Sequence, residues 1–331
     1  MAFDPTDLLR ATATIEQAAS FSKNNLRVPY YGAAAALLGG SDMLIRGLGD
    51  LKQSSAQPLS IPVFNKVPAG TGTLRKCAGT GDGATALVPV VYEGITEEFN
   101  LNDLDTQGNS ITRDAAFAYL VQQKASNIYK RIDDKALAFL EASKATVNNG
   151  TYFDAGVGGA KQVPYDQRLE FFAGVQAEQG ANNFTGITDI VGGYNLKAIY
   201  DLQRNQGAGN AVNSQYQTEN YNTFFTNVPN GTGVRDTAYV FEAGTVGAFP
   251  WLRPDFRRTK DIGTDVWMTY RLPPMFGMAQ GLEVELKVKY GCQGEAEYTE
   301  SYVMHIAIAF LSAYAQTTGD SGIYKLEILK P

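Results

Sequence analysis

The stretch Asp114-Ala-Ala-Phe-Ala-Tyr-Leu-Val-Gln-Gln-Lys-Ala-Ser-Asn-Ile-Tyr-Lys-Arg-Ile-Asp-Asp-Lys-Ala-Leu-Ala-Phe-Leu-Glu-Ala-Ser143 contains neither glycine nor proline. Within it Phe117, Leu120, Val121, Ile128, Ile132, Ala136, Phe139 and Leu140 recur at helical spacing, which predicts one long amphipathic helix. At 1.5 Å per residue it would span about 45 Å, more than a compact domain needs, so it reads as a spine. Ser110 or Thr112 is the expected cap, with Asp114 in the first turn.

On the C-terminal side of the spine, Asn148 to Gly159 is a Gly/Asn break. A mixed region opens near Pro164: Tyr165 to Gln179 reads as helix, Ile187 to Val191 as strand and Asn195 to Arg204 as helix. Asn205 to Val234 then carries one charged residue, Glu219, over thirty positions. A polar loop of that length is normally functional or disordered. Its Tyr216, Tyr221, Phe224 and Phe225 point to ordering against a partner. The last fifty residues alternate. Leu282, Val284, Leu286, Val288 and Tyr290 face a core, with Glu283, Glu285, Lys287 and Lys289 on a wet face. Met304, Ile306, Ile308 and Phe310 form a second strand, apolar also at Val303, Ala307, Ala309 and Leu311 and therefore central. Tyr324, Leu326 and Ile328 form a third. A sheet of these strands packed on the spine is the expected core, and the class is α+β.

On the N-terminal side, Leu59 to Val67 and Thr85 to Tyr92 are β-leaning stretches around a tip rich in glycine (Gly70, Gly72, Gly79, Gly81, Gly83), a long hairpin with too few large apolar residues for a core of its own. Val28 to Gln57 turns into Ala and Gly runs (Ala33 to Ala36, Gly39, Gly40, Gly47, Gly49), too broken for one regular element, and reads as an arm lying along something else. Asp4-Pro5-Thr6-Asp7 starts a short helix through about Ala19.

Composition narrows the function. The chain has 331 residues with a net charge of −6 and one His, so nothing marks it as a whole-molecule grip on nucleic acid. Charged residues are 19% where about a quarter is usual, while Phe (17), Tyr (18) and Gly (34) are plentiful, a balance that suits buried contact surfaces. Cys77 and Cys292 fit neither ligand spacing nor a disulfide framework. The acidic start and the lack of an 18-residue apolar run predict a chain made and kept in a cytoplasm, with the sequons at Asn149, Asn183 and Asn230 as chance matches.

No constellation supports catalysis. Asp103, Asp105, Gln107, Asn109 and Asp114 set oxygens at positions of an EF-hand loop with Gly108 at the sixth, but Gln107, Asp114 and Ser110 depart from the pattern and Phe99 to Asn102 is no incoming helix. A polar turn capping the spine is the alternative, and no metal or cofactor is expected. His305 lies among apolar neighbours without a second His. Glu97-Glu98 and Asp133-Asp134 diverge in direction and read as solvated faces. Arg253, Arg257 and Arg258 beside aromatic rings would hold phosphate or pair with a neighbouring subunit's carboxylates, and the acidic chain favours the second.

The succession of loose arm, long two-stranded loop, spine helix, α/β middle and returning sheet resembles the major capsid proteins of tailed bacteriophages, the Hong Kong 97 type fold. Ala238-Tyr-Val-Phe-Glu-Ala-Gly-Thr-Val-Gly-Ala-Phe-Pro-Trp-Leu-Arg-Pro254 looks like the strand, turn and short helix late in their axial domain. The resemblance implies an N-terminal arm at 1–57, an extended loop at 58–100, a peripheral domain at 101–159 with 281–331, and an axial domain at 160–280. It implies a non-enzymatic subunit forming hexamers and pentamers of an icosahedral shell around double-stranded DNA, in a virion assembled in the host cytoplasm. Scaffolding, portal and decoration proteins would be separate, with no membrane and no cofactor. Some members cross-link through a loop lysine, and no motif pairs Lys66 or Lys76 with partners for that chemistry. The expected contacts are Gly70, Gly72, Gly81 and Gly83 at the hairpin tip, the aromatics of the polar loop, and the three arginines. An encapsulin-like compartment and a calcium-dependent binding module using Asp103, Asp105 and Asp114 are the rival readings.

Overall fold

The spine runs as one helix from Ser110 to Ala142 in the computed structural model, which describes residues 30–64, 85–102, 110–182, 184–207, 221–262, 265–275, 278, 280–293, 297–313 and 321–331. In chain order the elements are α1 (Gly32–Leu44), α2 (Leu48–Lys52), β1 (Ser60–Phe64), β2 (Thr85–Pro89), β3 (Tyr92–Asn102) and α3, the spine itself (Ser110–Ala142). Then come β4 (Asp154–Ala155), β5 (Lys161–Val163), α4 (Phe171–Ala181), β6 (Thr188–Gly192), α5 (Tyr194–Gly207), β7 (Tyr221–Phe225) and β8 (Val234–Glu242). The chain closes with β9 (Val246–Trp251), β10 (Lys260–Ile262), β11 (Asp265–Arg271), β12 (Glu283–Gln293), β13 (Glu297–Ser312) and β14 (Tyr324–Leu329). The helix expected over Asp4 to Ala19 lies outside the described residues. Thr112 sits inside α3, so it is not the cap.

The apolar stripe of α3 is buried as its spacing requires. Val121, Ile128, Ile132, Ala136 and Leu140 lie in one core with Ile95 and Phe99 of β3 and Met304, Ile306 and Ile308 of β13. Phe99 stacks on Tyr302 with centroids 4.7 Å apart, and Phe117 tilts against the same ring at 5.0 Å. Tyr129 is wholly buried, accepts the Leu282 N–H at 2.9 Å, and is pushed up to about 12 by that burial.

Under α3 lies an antiparallel sheet in the order β10-β11-β12-β13-β3, with β9 on the part of β13 beyond the end of β12. A second, mixed sheet runs β4-β5-β14-β8-β6-β7, parallel at β5–β14 and β6–β7. Its core gathers Phe171, Phe172 and Val175 of α4, Leu196 and Ile199 of α5, and Ile190, Val240, Leu326 and Ile328 of the strands.

Three expectations need correction. First, Tyr324, Leu326 and Ile328 are buried, but β14 pairs with β5 and β8 in the second sheet, while β9 to β11 join the first. Alternation tells that a strand has an inner face and does not tell which sheet owns it. Second, Tyr92–Asn102 is no part of the hairpin: its whole length is paired to β13.

Third, the Ala/Gly run is a helix buried in its own chain. A Cβ on Gly40 would sit 2.2 Å from the Val246 carbonyl oxygen, and one on Gly32 would sit 2.7 Å from the Phe225 backbone. These glycines are contact points where α1 presses against β9 and β7. Ala33, Ala34 and Leu37 are wholly buried, and the Ser41 hydroxyl donates to Leu37 O and Ala248 O. Tyr31 at the helix start offers no side-chain cap. Asp133 of α3 supplies it instead: Oδ1 accepts the Ala34 N–H at 3.0 Å, Ala33 N–H also donates to the carboxylate, and the Thr226 hydroxyl donates to Oδ2. Asp133 is therefore no solvated residue. It is 3% exposed, and burial raises its carboxyl above the ordinary range while these donors pull the other way. Asp134 alone keeps the wet face, paired with Lys130 at 3.0 Å.

Replacing Asp133 by Ala leaves the first N–H groups of α1 and the Thr226 hydroxyl buried without an acceptor, so stability should fall by about 2 to 3 kcal/mol. Asp133→Asn keeps one oxygen acceptor and should lose less. Thermal unfolding of both variants checks the order.

Candidate assembly surfaces

The hairpin root has two different faces. β1 and β2 pair antiparallel from Ser60↔Pro89 to Phe64↔Thr85. Ile61 and Val63 are wholly buried in a cluster with Leu44, Ile45, Phe249, Trp251 and Leu311, so the root leans on its own chain. Ile45 bridges to Val63, and Arg46 N–H donates to Pro62 O at 3.0 Å. Leu87, opposite Pro62 and so off that buried face, is 73% exposed, and Leu59 and Val91, just outside β1 and β2, are each 81% exposed. Gly70, Gly72, Gly81 and Gly83 at the tip lie outside the described residues.

The arginine cluster works largely within the chain. Arg253 donates from its backbone N–H to Glu285 Oε1 at 2.6 Å and from Nε to Oε2 at 2.8 Å, and its Nη2 closes an ion pair with Oε2 at 2.6 Å. Glu285 is 1% exposed. One position of the wet face of β12 is thus a buried carboxylate, and Arg253 pairs with it rather than with a neighbour. Arg257 donates twice to Leu252 O and lies over Trp251 at 5.8 Å. Arg258 is exposed. Arg257 also joins Lys52, Arg271 and Glu283 around an open cleft of about 550 Å³ floored by Pro250, Leu252 and Leu282, with Arg271 paired to Glu283 at 2.6 Å.

The polar loop is shorter than its composition implied. Tyr221, Phe224 and Phe225 stand in β7, parallel to β6, and their rings find partners in the same chain. Tyr221 stacks on Phe172 at 5.3 Å, and Phe225 tilts on Tyr200 at 5.7 Å. These residues need no partner subunit to become ordered. The sequence signal for β7 was present in Tyr-Asn-Thr-Phe-Phe but was outweighed by the polar residues before it. Tyr216 lies outside the described residues. Beside β7, Asp189 of β6 is 5% exposed, accepts Asn222 Nδ2 at 2.8 Å, and is pushed by burial up to about 6.

Asp103 and Asp105 lie outside the described residues, as does the side chain of Asp114, which falls in the first turns of α3. The chain enters that segment from β3, a strand, so the helix an EF-hand requires before its loop is replaced. Among the described residues no three His, Cys, Asp or Glu gather to hold a metal. His305 donates or accepts at Nδ1 with Thr96 Oγ1, 2.8 Å away, and burial holds it below the ordinary histidine value. Glu97 pairs with Lys124 at 3.2 Å and Arg131 at 3.1 Å across the gap to α3, while Glu98 is exposed. No helix among the described residues is long and apolar enough to cross a membrane.

The layout of a spine helix over one sheet, a second α/β unit, and a two-stranded ribbon is the α+β fold of phage capsid proteins. The capsid of Ralstonia phage GP4 superposes with a TM-score of 0.50 at 9% identity, covering 94% of this chain and 93% of that one. A Mycobacterium phage Adephagia chain matches at TM-score 0.45 and 10% identity over 96% and 98% of the two chains. The SrpI encapsulin of Synechococcus elongatus matches at 0.35 and 10% over 73% and 75%. The first of these carries the fold. No family model matches the chain, and no curated protein matches its sequence.

Two measurements test the site chemistry. Arg253→Ala leaves Glu285 buried and half-paired, so it should cost about 2 kcal/mol, most of it recovered by adding Glu285→Gln. For Asp189, the folded value of about 6 exceeds the ordinary 3.8, so the folded state binds the proton more readily. Stability should therefore rise as pH falls from 6 toward 3.8, by up to about 3 kcal/mol from this group. The difference in unfolding free energy between Asp189→Asn and the parent, followed across that range, isolates it.

Proposed function

We propose that this chain is a major capsid protein that self-assembles into the icosahedral shell of a phage, enclosing double-stranded DNA without reading its sequence. The observation that supports this best is the capsid fold itself, matched over 94% of the chain. In the terms of the Hong Kong 97 type fold, β1 and β2 carry the extended loop, α3 with the first sheet forms the peripheral domain, and α4 and α5 with the second sheet form the axial domain. The role is structural rather than catalytic.

The physical case for assembly lies in the ribbon. Its root is anchored by Ile61 and Val63, while Leu59, Leu87 and Val91, on or beside its strands, are exposed. Covering three such side chains is worth about 1.5 to 3 kcal/mol each, and in a shell the cover is a neighbouring copy. Contacts of this head-to-tail kind close into rings of five and six. The cleft of Lys52, Arg257 and Arg271 would receive carboxylates of a neighbour, and Arg258, exposed and next to Arg257 in sequence, would add to that charge. A wall with net charge −6 repels packaged DNA and leaves it free to be released. Scaffolding, portal and decoration proteins remain separate partners in this reading.

Deletion of Gly70 to Gly83, which spares β1 and β2, should leave a folded subunit that no longer forms closed particles under the electron microscope. Intact particles of normal size from the deleted chain would refute the placement of the loop. Leu59→Ser with Leu87→Ser should raise the concentration needed for assembly about tenfold or more while moving the subunit's unfolding midpoint little, because both side chains are already in water.

A further inference from the structure

Two Asn-Gly steps fall among the described residues, Asn149-Gly150 and Asn230-Gly231, both followed by threonine. An Asn-Gly step is chemically fragile because glycine has no Cβ to obstruct its own backbone nitrogen from reaching the asparagine Cγ. Whether it reacts depends on whether that nitrogen is free to turn.

At the first step it is not. Gly150 N–H donates to Asn148 Oδ1 at 2.9 Å, and Asn149 N–H donates to Asn182 Oδ1 at 2.9 Å. The carbonyl of Gly150 accepts from Lys161 Nζ. Gly150 is buried with the Glu178 carboxylate against it, so closely that a Cβ there would lie 1.5 Å from Oε2. Rotation of this peptide would break the Gly150 N–H bond in a packed site where the peptides on both sides are also held.

At the second step the restraints are fewer: the Gly231 carbonyl accepts the Val234 N–H at 3.2 Å, but the nitrogen itself is not held. Asn230 and Gly231 are both exposed, in the irregular segment between β7 and β8. Among the described residues nothing accepts the Gly231 N–H. The Asn230 amide is held by one long bond, Nδ2 to Arg235 O at 3.2 Å, and that carbonyl already takes Asn195 Nδ2 at 2.9 Å.

We propose that Asn230 is a site of spontaneous deamidation and backbone isomerisation in the folded protein, and that Asn149 is protected from the same reaction. The Gly231 nitrogen attacks Asn230 Cγ. The new N–Cγ bond closes a five-membered succinimide, the Cγ–Nδ2 bond breaks, and ammonia leaves with the proton that the glycine nitrogen gives up. Water then adds to either ring carbonyl and opens it, leaving aspartate or isoaspartate. No oxidant or reductant takes part. The product carries one negative charge more than the −6 of the sequence, and it has lost the amide that donated to Arg235 O. Each subunit would thus acquire a time-dependent acidic mark on the loop entering β8, whether or not it stands in a shell.

The test is peptide mapping by mass spectrometry after storage of the folded chain in mildly alkaline buffer, with isoaspartate identified by enzymatic methylation. The Asn230 peptide should exchange its side-chain NH2 for OH at least about tenfold faster than the Asn149 peptide, a barrier difference of about 1.4 kcal/mol. In the urea-unfolded chain the two rates should converge, because the folded restraints on Gly150 are then gone. Gly231→Ala is a gentle control: the nearest atom to its Cβ is Val234 Cγ2 at 3.7 Å, and Gly231 is not in the left-handed region. It should slow the reaction at Asn230 about tenfold with the unfolding midpoint unchanged. Equal rates at the two sites in the folded chain, or an unaffected rate in Gly231→Ala, would overturn the proposal.

Discussion

One carboxylate, Asp133, joins three parts of the chain that are distant in sequence. It stands in the middle of α3, receives the first N–H groups of α1, and takes the Thr226 hydroxyl just beyond β7. A helix start carries unpaired donors and about half a positive charge. Burying such an end is costly unless an anion meets it, and the charge of a buried Asp is costly unless donors meet it. Each cancels the other's penalty, so the docked position of α1 is the position in which both are satisfied. Because α1 lies between α3, β7 and β9, the first sheet, the spine and the edge of the second sheet are held in one arrangement by this junction.

The same device recurs at α5. Asp236 of β8 is 1% exposed and accepts the N–H groups of Leu196 and Gly193 at the helix start. Gly193 is obligatory there, since a Cβ would lie 2.0 Å from Asp236 Oδ1. Glu285 with Arg253 is a third buried carboxylate, placed where β9 leaves the sheet and crosses toward β10. A chain with only 19% charged residues thus spends several of its acids inside, as positioning groups between elements. Directional bonds of this kind discriminate between packings of similar apolar area more sharply than the apolar contacts do.

This explains which parts of the fold could be read from the sequence. The spine, the helices α4 and α5, β6 and the alternating strands β12 and β13 were legible, because each is defined by a period within one segment. The helix α1 was not. Its Ala and Gly residues look like a breakdown of pattern when taken alone, and become a close-packing surface only beside Val246 and Phe225. Asp133 likewise looks like any acid next to another acid until α1 is brought to it. β14 has a clear inner face, yet the sheet it joins is decided by partners far away in sequence. Arg253 was visible as a basic residue near rings, but its partner Glu285 was hidden in an alternation that assigned it to water.

These internal pairings bear on how a shell can form. If α1, Arg253 and the β7 aromatics had waited for a neighbour, folding and assembly would be one event, and the isolated subunit would be a partly ordered chain. Instead each is satisfied within the chain, and Leu59, Leu87 and Val91 at the hairpin root are among the large apolar side chains left exposed. In the proposed shell, a subunit of that kind would fold first and associate afterwards through a limited surface. The surface is apolar, so it gains strength with the release of water and needs no strict geometry beyond contact. That tolerance would suit the proposed shell, in which one chain would meet its neighbours at slightly different angles in rings of five and six. In such a shell, internal junctions such as Asp133 with α1 would keep the body constant and leave the difference to be taken up at the contacts between copies.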